Sequence, residues 1–276
     1  MNGASREALA AVRERLDALT DASPEVPTSV DAGRLADELA AVTALLDREG
    51  ALRRALTDPA QPGQAKADLA RRLLGERIGD AGLDLVTGMV RSRWSRSRDL
   101  VDAIEELADT ADLIAAQRAG ALDDVEDELF RFGRIVAGSA ELRAALTGRI
   151  ADAEAKAGLV HRLLGGRARP VTERLVTRLV TAPRGRSLES GIESLSKLAA
   201  ARRNRMIAEV VSAVPLSDQQ KERLGAALAR IYGRRVHLNL DVDPSVLGGA
   251  RVRIGDEIIN GSIADRLEEA ARRLAG

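Results

Sequence analysis

The chain has 276 residues, 45% hydrophobic and 30% charged, with 42 basic and 42 acidic side chains and a formal net charge of zero. That length supports two domains and a sizeable core, and the balanced charge excludes a global pull toward nucleic acid or an anionic membrane. The lack of cysteine excludes disulfides, thiolate chemistry and cysteine-based metal sites, and with one Trp, one Tyr and two Phe the core falls to Leu, Val, Ile and Ala.

The opening residues Met1–Glu7 carry charges where a signal peptide needs an apolar stretch, and no uncharged apolar run approaches the roughly 20 residues that span a bilayer. The expectation is a soluble protein on the cytoplasmic side whose membrane association is indirect. Residues 5–19 place Leu9, Val12, Leu16 and Leu19 at helical spacing, with Ser5 as the expected N-cap. Pro24 and Pro27 mark a loop. A second helix is predicted over about 31–57, with Leu35, Leu39, Val42, Leu45 and Leu46 on one face, and Asp58-Pro59 through Gly63 breaks it.

The chain then repeats itself. Segment 52–77 aligns without gaps to 142–167: Leu52-Arg53, Ala55-Leu56-Thr57, Ala65-Lys66-Ala67, Leu69, Arg72-Leu73-Leu74-Gly75 and Arg77 recur ninety residues later. A weaker likeness sets Ile104-Glu105 and Leu107 against Ile192-Glu193 and Leu195. We read an internal duplication, with a first helical unit over 1–118 and a second over 119–205. In each unit a helix ends near Gly75 or Gly165, a second apolar helix follows (Leu85, Val86, Met89, Val90; or Leu175, Val176, Leu179, Val180), and an Arg-rich junction leads to a long closing helix.

From residue 206 the period changes. Met206–Val214 reads as a strand stopped by Pro215, and Ser217-Asp218-Gln219-Gln220 is a capping box. Val236, Leu238, Leu240 and Val242 alternate with His237, Asn239, Asp241 and Asp243, the pattern of a half-buried strand. Ala250, Val252 and Ile254 alternate with Arg251 and Arg253. Gly255-Asp256 fits a two-residue hairpin turn, and Ser262 with Asp265 opens a last helix whose core face is Ile263, Leu267, Ala270 and Leu274. The predicted fold is mainly α: N-terminal helical bundles from a duplication, and a small α/β domain over 206–276.

Candidate chemistry is sparse. Gly248-Gly249 is followed by a strand, not by the Gly-Lys-Ser/Thr of a phosphate loop, so it reads as a tight turn. His161 and His237 lie far apart with no Asp or Ser partner at catalytic spacing. Asp123–Glu128 reads as the acidic first turn of a helix. Arg202-Arg203-Asn204-Arg205 reads as a helix end whose cations meet the negative pole of the dipole. The Arg91–Arg98 segment, built around Trp94, is the one basic cluster that could grip nucleic acid. Arginines outnumber lysines so heavily here that each carries little functional weight, and the opposing reading is a solvated junction with Trp94 against the bundle. No nucleophile, base and orienting group assemble, and no catalytic residue, cofactor or metal is expected.

The C-terminal wording adds more. Glu209-Val210-Val211-Ser212-Ala213, Pro215-Leu216-Ser217, Val242-Asp243-Pro244-Ser245-Val246-Leu247-Gly248-Gly249, Val252-Arg253-Ile254-Gly255-Asp256 and Gly261-Ser262 with Arg266-Leu267 closely resemble, in order and spacing, the delta subunit of F-type ATP synthases, the family of the oligomycin sensitivity conferral protein. Asn260 stands where that family more often has Asp. The resemblance implies a non-catalytic peripheral-stalk subunit on the cytoplasmic face of a bacterial cell membrane. Such a subunit links the catalytic head to the stalk and resists rotor torque. Its implied partners are the N-terminal helices of alpha subunits and the coiled coil of the b subunit, with no nucleic acid, and with the membrane met only through the complex. Within it, Leu9, Val12 and Leu16 are expected to line an alpha-subunit groove, and Val246 and Leu247 to shape the stalk-facing end. The usual family member has one helical bundle, so this chain looks like an extended version. The competing reading is a helical nucleic-acid-binding adaptor that uses Arg91–Arg98.

Overall fold

The computed structural model describes residues 3–20, 30–148, 151–203, 206–232, 236–244, 249–254 and 257–260. Among them are twelve helices and four strands, in two compact units that divide between Arg203 and Asn204.

The helical unit runs α1 (Gly3–Thr20), α2 (Ala32–Arg48), α3 (Gly50–Thr57), α4 (Gly63–Leu74), α5 (Asp80–Arg91), α6 (Ser97–Arg118), α7 (Leu122–Gly138), α8 (Ala140–Thr147), α9 (Ala153–Leu164), α10 (Pro170–Thr181) and α11 (Leu188–Arg203). Helices α7 to α10 begin and end ninety residues after α2 to α5, each pair of equal length. The repeated residues do repeated work. Arg53 donates to the carbonyls of Leu46 and Asp47 at the end of α2, and Arg143 donates to that of Ala137 at the end of α7. Thr57 and Thr147 each donate back to those arginines' own carbonyls, at 2.9 and 2.8 Å. Side-chain caps fix several starts: Asp31 accepts from Gly33 and Arg34 N–H, Ser139 from Leu142, and Asp152 from Ala155.

Two apolar cores fill this unit. The first gathers Leu9, Val12 and Leu16 with Leu35, Leu39, Leu46, Met89, Leu100, Ile104 and Leu107. The second gathers Leu113 and Ala116 with Val125, Leu129, Phe132, Leu175, Val176, Leu179 and Leu195. Helix α6 feeds both, which explains its unusual length and its burial on nearly every side. It closes the first bundle, where α1 packs on α5 and α6, and opens the second, where it packs in turn on α10 and α11.

Two local expectations are corrected. Ser5 is not an N-cap: α1 begins no later than Gly3, and Ser5 lies inside it, fully buried. The predicted 31–57 helix is two helices, broken at Glu49 (φ −95°, ψ 77°), which lets α3 turn away while Arg53 ties it back to α2.

The second unit runs β1 (Met206–Ser212), α12 (Asp218–Tyr232), β2 (Val236–Val242), β3 (Ala250–Ile254) and β4 (Glu257–Asn260), with sheet order β2-β1-β3-β4. The capping box forms as predicted: Ser217 N–H donates to Gln220 Oε1 at 2.8 Å and Gln220 N–H to Ser217 Oγ at 3.3 Å. β1 and β2 are parallel, Val210 opposite Leu240, and joined through α12, while β3 is antiparallel to β1 and β4. Ile254 pairs with Glu257, so two residues separate β3 from β4. Ala208, Val210, Leu228, Val252 and Ile254 are the core. Gly255-Asp256, Gly261-Ser262, the Ser262/Asp265 capping box, the Ile263–Leu274 face and the Pro24–Pro27 loop lie outside the described residues.

Candidate interaction surfaces

Leu9, Val12 and Leu16, expected to line a groove, are interior: 6%, 6% and 0% exposed. They hold α1 against α5 and α6, and the outward face of α1 is charged instead. There Arg13 pairs with Glu106 of α6, and Arg15 Nε lies 2.8 Å from Asp84 of α5. Ser5 donates its hydroxyl to Asp99 Oδ2 at 2.9 Å and accepts from Ser95 N–H at 2.8 Å. Asp99, wholly buried in the first turn of α6, also takes Arg96 at 2.9 Å, so its charge meets both a cation and a helix N-terminus.

Between the bundles lies a cleft of about 690 Å³, bounded by α1, α6, α10 and α11. Leu175, Leu179, Leu195 and Leu198 supply apolar wall, and α6 presents Asp102, Glu105, Glu106 and Asp109. Arginines from the second bundle cross it. Arg174 lies 2.6 Å from the buried Asp112, and Arg178 bridges Asp112 and Asp109. Position 174 is ninety beyond Asp84, so the same site on the repeated helix makes an ion pair in both bundles, with arginine in place of aspartate.

The loop after α10 supplies a buried arginine. Arg184, 3% exposed, reaches Asp102 at 2.5 Å and Glu105 at 2.8 Å, and its Nε lies 3.4 Å from Asp47 of α2. Its φ of 51° is unusual for a residue with a Cβ and is held by these three carboxylates. The Arg91–Arg98 loop behaves differently. Trp94 packs on the first core and donates Nε1–H to the Met89 carbonyl at 2.7 Å, Arg96 is bound to Asp99, and Arg98 meets Asp47 at 3.4 Å. This is the junction reading, and the nucleic-acid adaptor reading is dropped.

The other sequence candidates are structural where they are described. His161 is exposed on α9 with Nδ1 2.7 Å from Glu173 Oε1; the His237 side chain lies outside the described residues. Asp123 and Asp124 stand in the first turn of α7 as predicted. Further along that acidic run, Glu128 accepts from Thr172 Oγ1 and Arg169 N–H. Among the described residues no three His, Asp or Glu side chains converge as metal ligands, and no helix is long and apolar enough to cross a membrane.

In the second unit the signature segment sits at one end of the sheet. Val242 ends β2, Asp243 N–H donates to the Ser212 carbonyl at 3.0 Å, Pro244 is exposed, and Gly249 has a φ of 80°, the left-handed turn expected of it. Val246, Leu247 and Gly248 lie outside the described residues. Val236 and Leu238 join the core under Leu224 and Leu228, but Leu240 and Val242 are 37% and 44% exposed. The alternation was legible, but β2 is an edge strand and the α12 side chains cover only its first half. With Val214, 66% exposed after β1, these two leave an apolar end on the sheet. Sequence reading missed Asp109; it placed Arg184 only in an Arg-rich junction and Arg202 only at a helix end, without the carboxylates that either one meets.

Comparison with known proteins bears on these surfaces. The model of the ATP synthase delta (OSCP) subunit family matches residues 110–274. A protein named ATP synthase subunit delta from Streptomyces griseus is 72% identical over 276 residues, the whole of both chains. Its namesake from Streptomyces avermitilis is 73% identical over 99% of this chain and 98% of its own, and that from Acidothermus cellulolyticus 53% identical over 100% of each. A chain of the Toxoplasma gondii mitochondrial ATP synthase hexamer overlaps 61% of this chain and 95% of its own at 22% identity, with a TM-score of 0.27, too low to carry an argument.

Proposed function

The chain belongs to the ATP synthase delta (OSCP) subunit family, and on that premise we propose how its two units brace the enzyme. It is a peripheral-stalk component of the F-type ATP synthase, a structural subunit of that membrane-associated complex. The observation that carries this is 72% identity across the full length of a named delta subunit. Under this reading the helical unit takes the N-terminal helices of alpha subunits, the helix-in-groove mode, at the cleft and seams around α1, α6 and α10. The alpha contact assigned to Leu9, Val12 and Leu16 is then indirect: they set the position of α1, whose charged face meets the partner. The sheet end that carries Val242, Asp243, Pro244 and Gly249 meets the b subunit, a contact to which the resemblance also assigns Val246 and Leu247. The chain works at the cytoplasmic face and turns over no substrate.

Two features support the reading. The helical unit is tied across its two bundles by arginines on buried carboxylates, Arg178 on Asp112 and Arg202 on Asp17, as a part under load requires, and the second unit keeps an apolar end at the signature segment. Membranes stripped of catalytic head and of this chain test it. Added chain should restore head attachment and proton-driven synthesis, and the purified chain alone should hydrolyse no ATP. Restored attachment without the chain would refute the linking role.

A further inference from the structure

Along α6, Asp102, Glu105, Glu106, Asp109 and Asp112 form one stripe of carboxylates at helical spacing, turned toward the boundary between the two bundles. Most are closely matched: Asp102 and Glu105 by Arg184, Glu105 also by Arg186 at 2.6 Å, Glu106 by Arg13, and Asp112 by Arg174 and Arg178. Asp109 is not. Its side chain is 13% exposed, and Arg178 approaches it at 3.4 Å with the same nitrogen that pairs with Asp112. The charged groups acting on it are Arg178 from α10, Glu105 and Asp112 from α6 and Arg186 from the loop after α10, and the cleft it lines also holds Arg13, Arg98, Asp102, Glu106, Arg184 and Lys197. Asp112 thus has both Arg174 and Arg178, while the buried Asp109 has a distant share of Arg178 at the seam between the bundles.

We propose that Asp109 makes the joint between the two helical bundles proton-sensitive. Protonated, it is a neutral neighbour that leaves Arg178 to Asp112; ionised, it adds a further buried charge beside Glu105 and Asp112, a cost that opening the α6–α10 seam to water relieves. Its titration falls where this matters. Burial, the largest influence, pushes the carboxyl up to about 7, Glu105 and Asp112 push the same way, and Arg178 and Arg186 oppose them. A carboxyl that titrates higher in the folded state than in the unfolded one favours the fold while protonated. That contribution is complete below the ordinary carboxylate range and is lost as pH rises through about 7. The joint is therefore tighter at pH 6 than at pH 8.

The isolated full-length chain suffices for the test, so its outcome is separate from whether the chain braces a synthase. Carboxyl ¹³C NMR on aspartate-labelled protein should show one resonance, absent from Asp109→Asn, that titrates near neutrality. Hydrogen exchange, corrected for intrinsic rates, should rise in α6 and α10 peptides between pH 6 and pH 8 in the wild type and not in Asp109→Asn. A resonance that titrates in the ordinary carboxylate range, or the same exchange change in both proteins, would overturn the proposal. If Asp109→Asn does not fold, Asp109→Ser identifies the resonance and the wild-type titration decides.

Discussion

Arg202, the penultimate residue of α11, sets a guanidinium nitrogen 2.6 Å from Asp17 Oδ1 on α1, and each side chain is 5% exposed. The same guanidinium donates Nε–H to Gln117 Oε1 of α6 at 2.5 Å. The last turns of α1, α6 and α11 therefore meet at one polar knot, from residues 17, 117 and 202 that no local pattern links. Arg202→Ala takes one cation from the buried Asp17, and breaking a buried ion pair costs up to about 3–5 kcal/mol. Replacing both partners, as Asp17→Leu with Arg202→Met, removes the desolvation cost along with the attraction and should recover most of that loss. Urea unfolding of the two variants checks it; equal destabilisation in both would mean that the pair is held for reasons other than charge.

Ser5 ties the other end of α1 to the first turn of α6. Its hydroxyl both donates to buried Asp99 and accepts from Ser95 N–H, so Ser5→Ala leaves an acceptor and a donor short at once. Unsatisfied buried groups cost about 1–3 kcal/mol. The expected result is a loss in that range, with increased exchange confined to α1 and the 94–99 loop.

The sequence showed what repeats locally. The ninety-residue register delivers α2–α5 and α7–α10, because caps, apolar spacing and the Arg53/Arg143 ties all act over a few residues. It did not show that α6 belongs to both bundles, since each period looks complete alone. Nor did it show Ser5, Arg184 or Arg202 at work, because their partners lie 79 or more residues away. The same shared helix explains why the array stops at two. Matching Ile104 to Ile192 puts Lys197 where α6 has Asp109, and Glu193, Ser194 and Lys197 of α11 are exposed, a polar cap in place of a third seam. The interior position of Leu9 and Val12 also changes how α1 is to be probed. Aspartates there would unfold α1, so lost binding would report stability and not contact.

Two helical glycines should respond oppositely to alanine. Helix propensity alone favours alanine by about 0.5–1 kcal/mol. At Gly88, in α5, a Cβ meets nothing within 4 Å, so Gly88→Ala should stabilise by about that amount. At Gly191, in α11, the added methyl would overlap the Leu179 side chain of α10. Overpacking costs about 1–3 kcal/mol, which exceeds the propensity gain, so Gly191→Ala should destabilise. Thermal unfolding of both variants decides; a stabilised Gly191→Ala would mean that the α10–α11 contact is looser than described.

Leu240 and Val242 allow binding to be separated from folding. At 37% and 44% exposed they contribute little to the core, whereas Val236 and Leu238 on the same strand face are packed under α12. Threonine keeps strand propensity while replacing apolar surface with a hydroxyl. The double change Leu240→Thr with Val242→Thr should therefore shift stability by no more than about 0.5 kcal/mol, as exposed substitutions usually do. If this sheet end meets the b subunit, losing two apolar anchors should weaken binding of that partner's C-terminal segment at least about tenfold, equivalent to about 1.4 kcal/mol. Titration calorimetry against that segment, with unfolding measured in parallel, separates the outcomes. Unchanged affinity with unchanged stability would place the stalk contact elsewhere and remove the nearest structural support for assigning it to Val246 and Leu247.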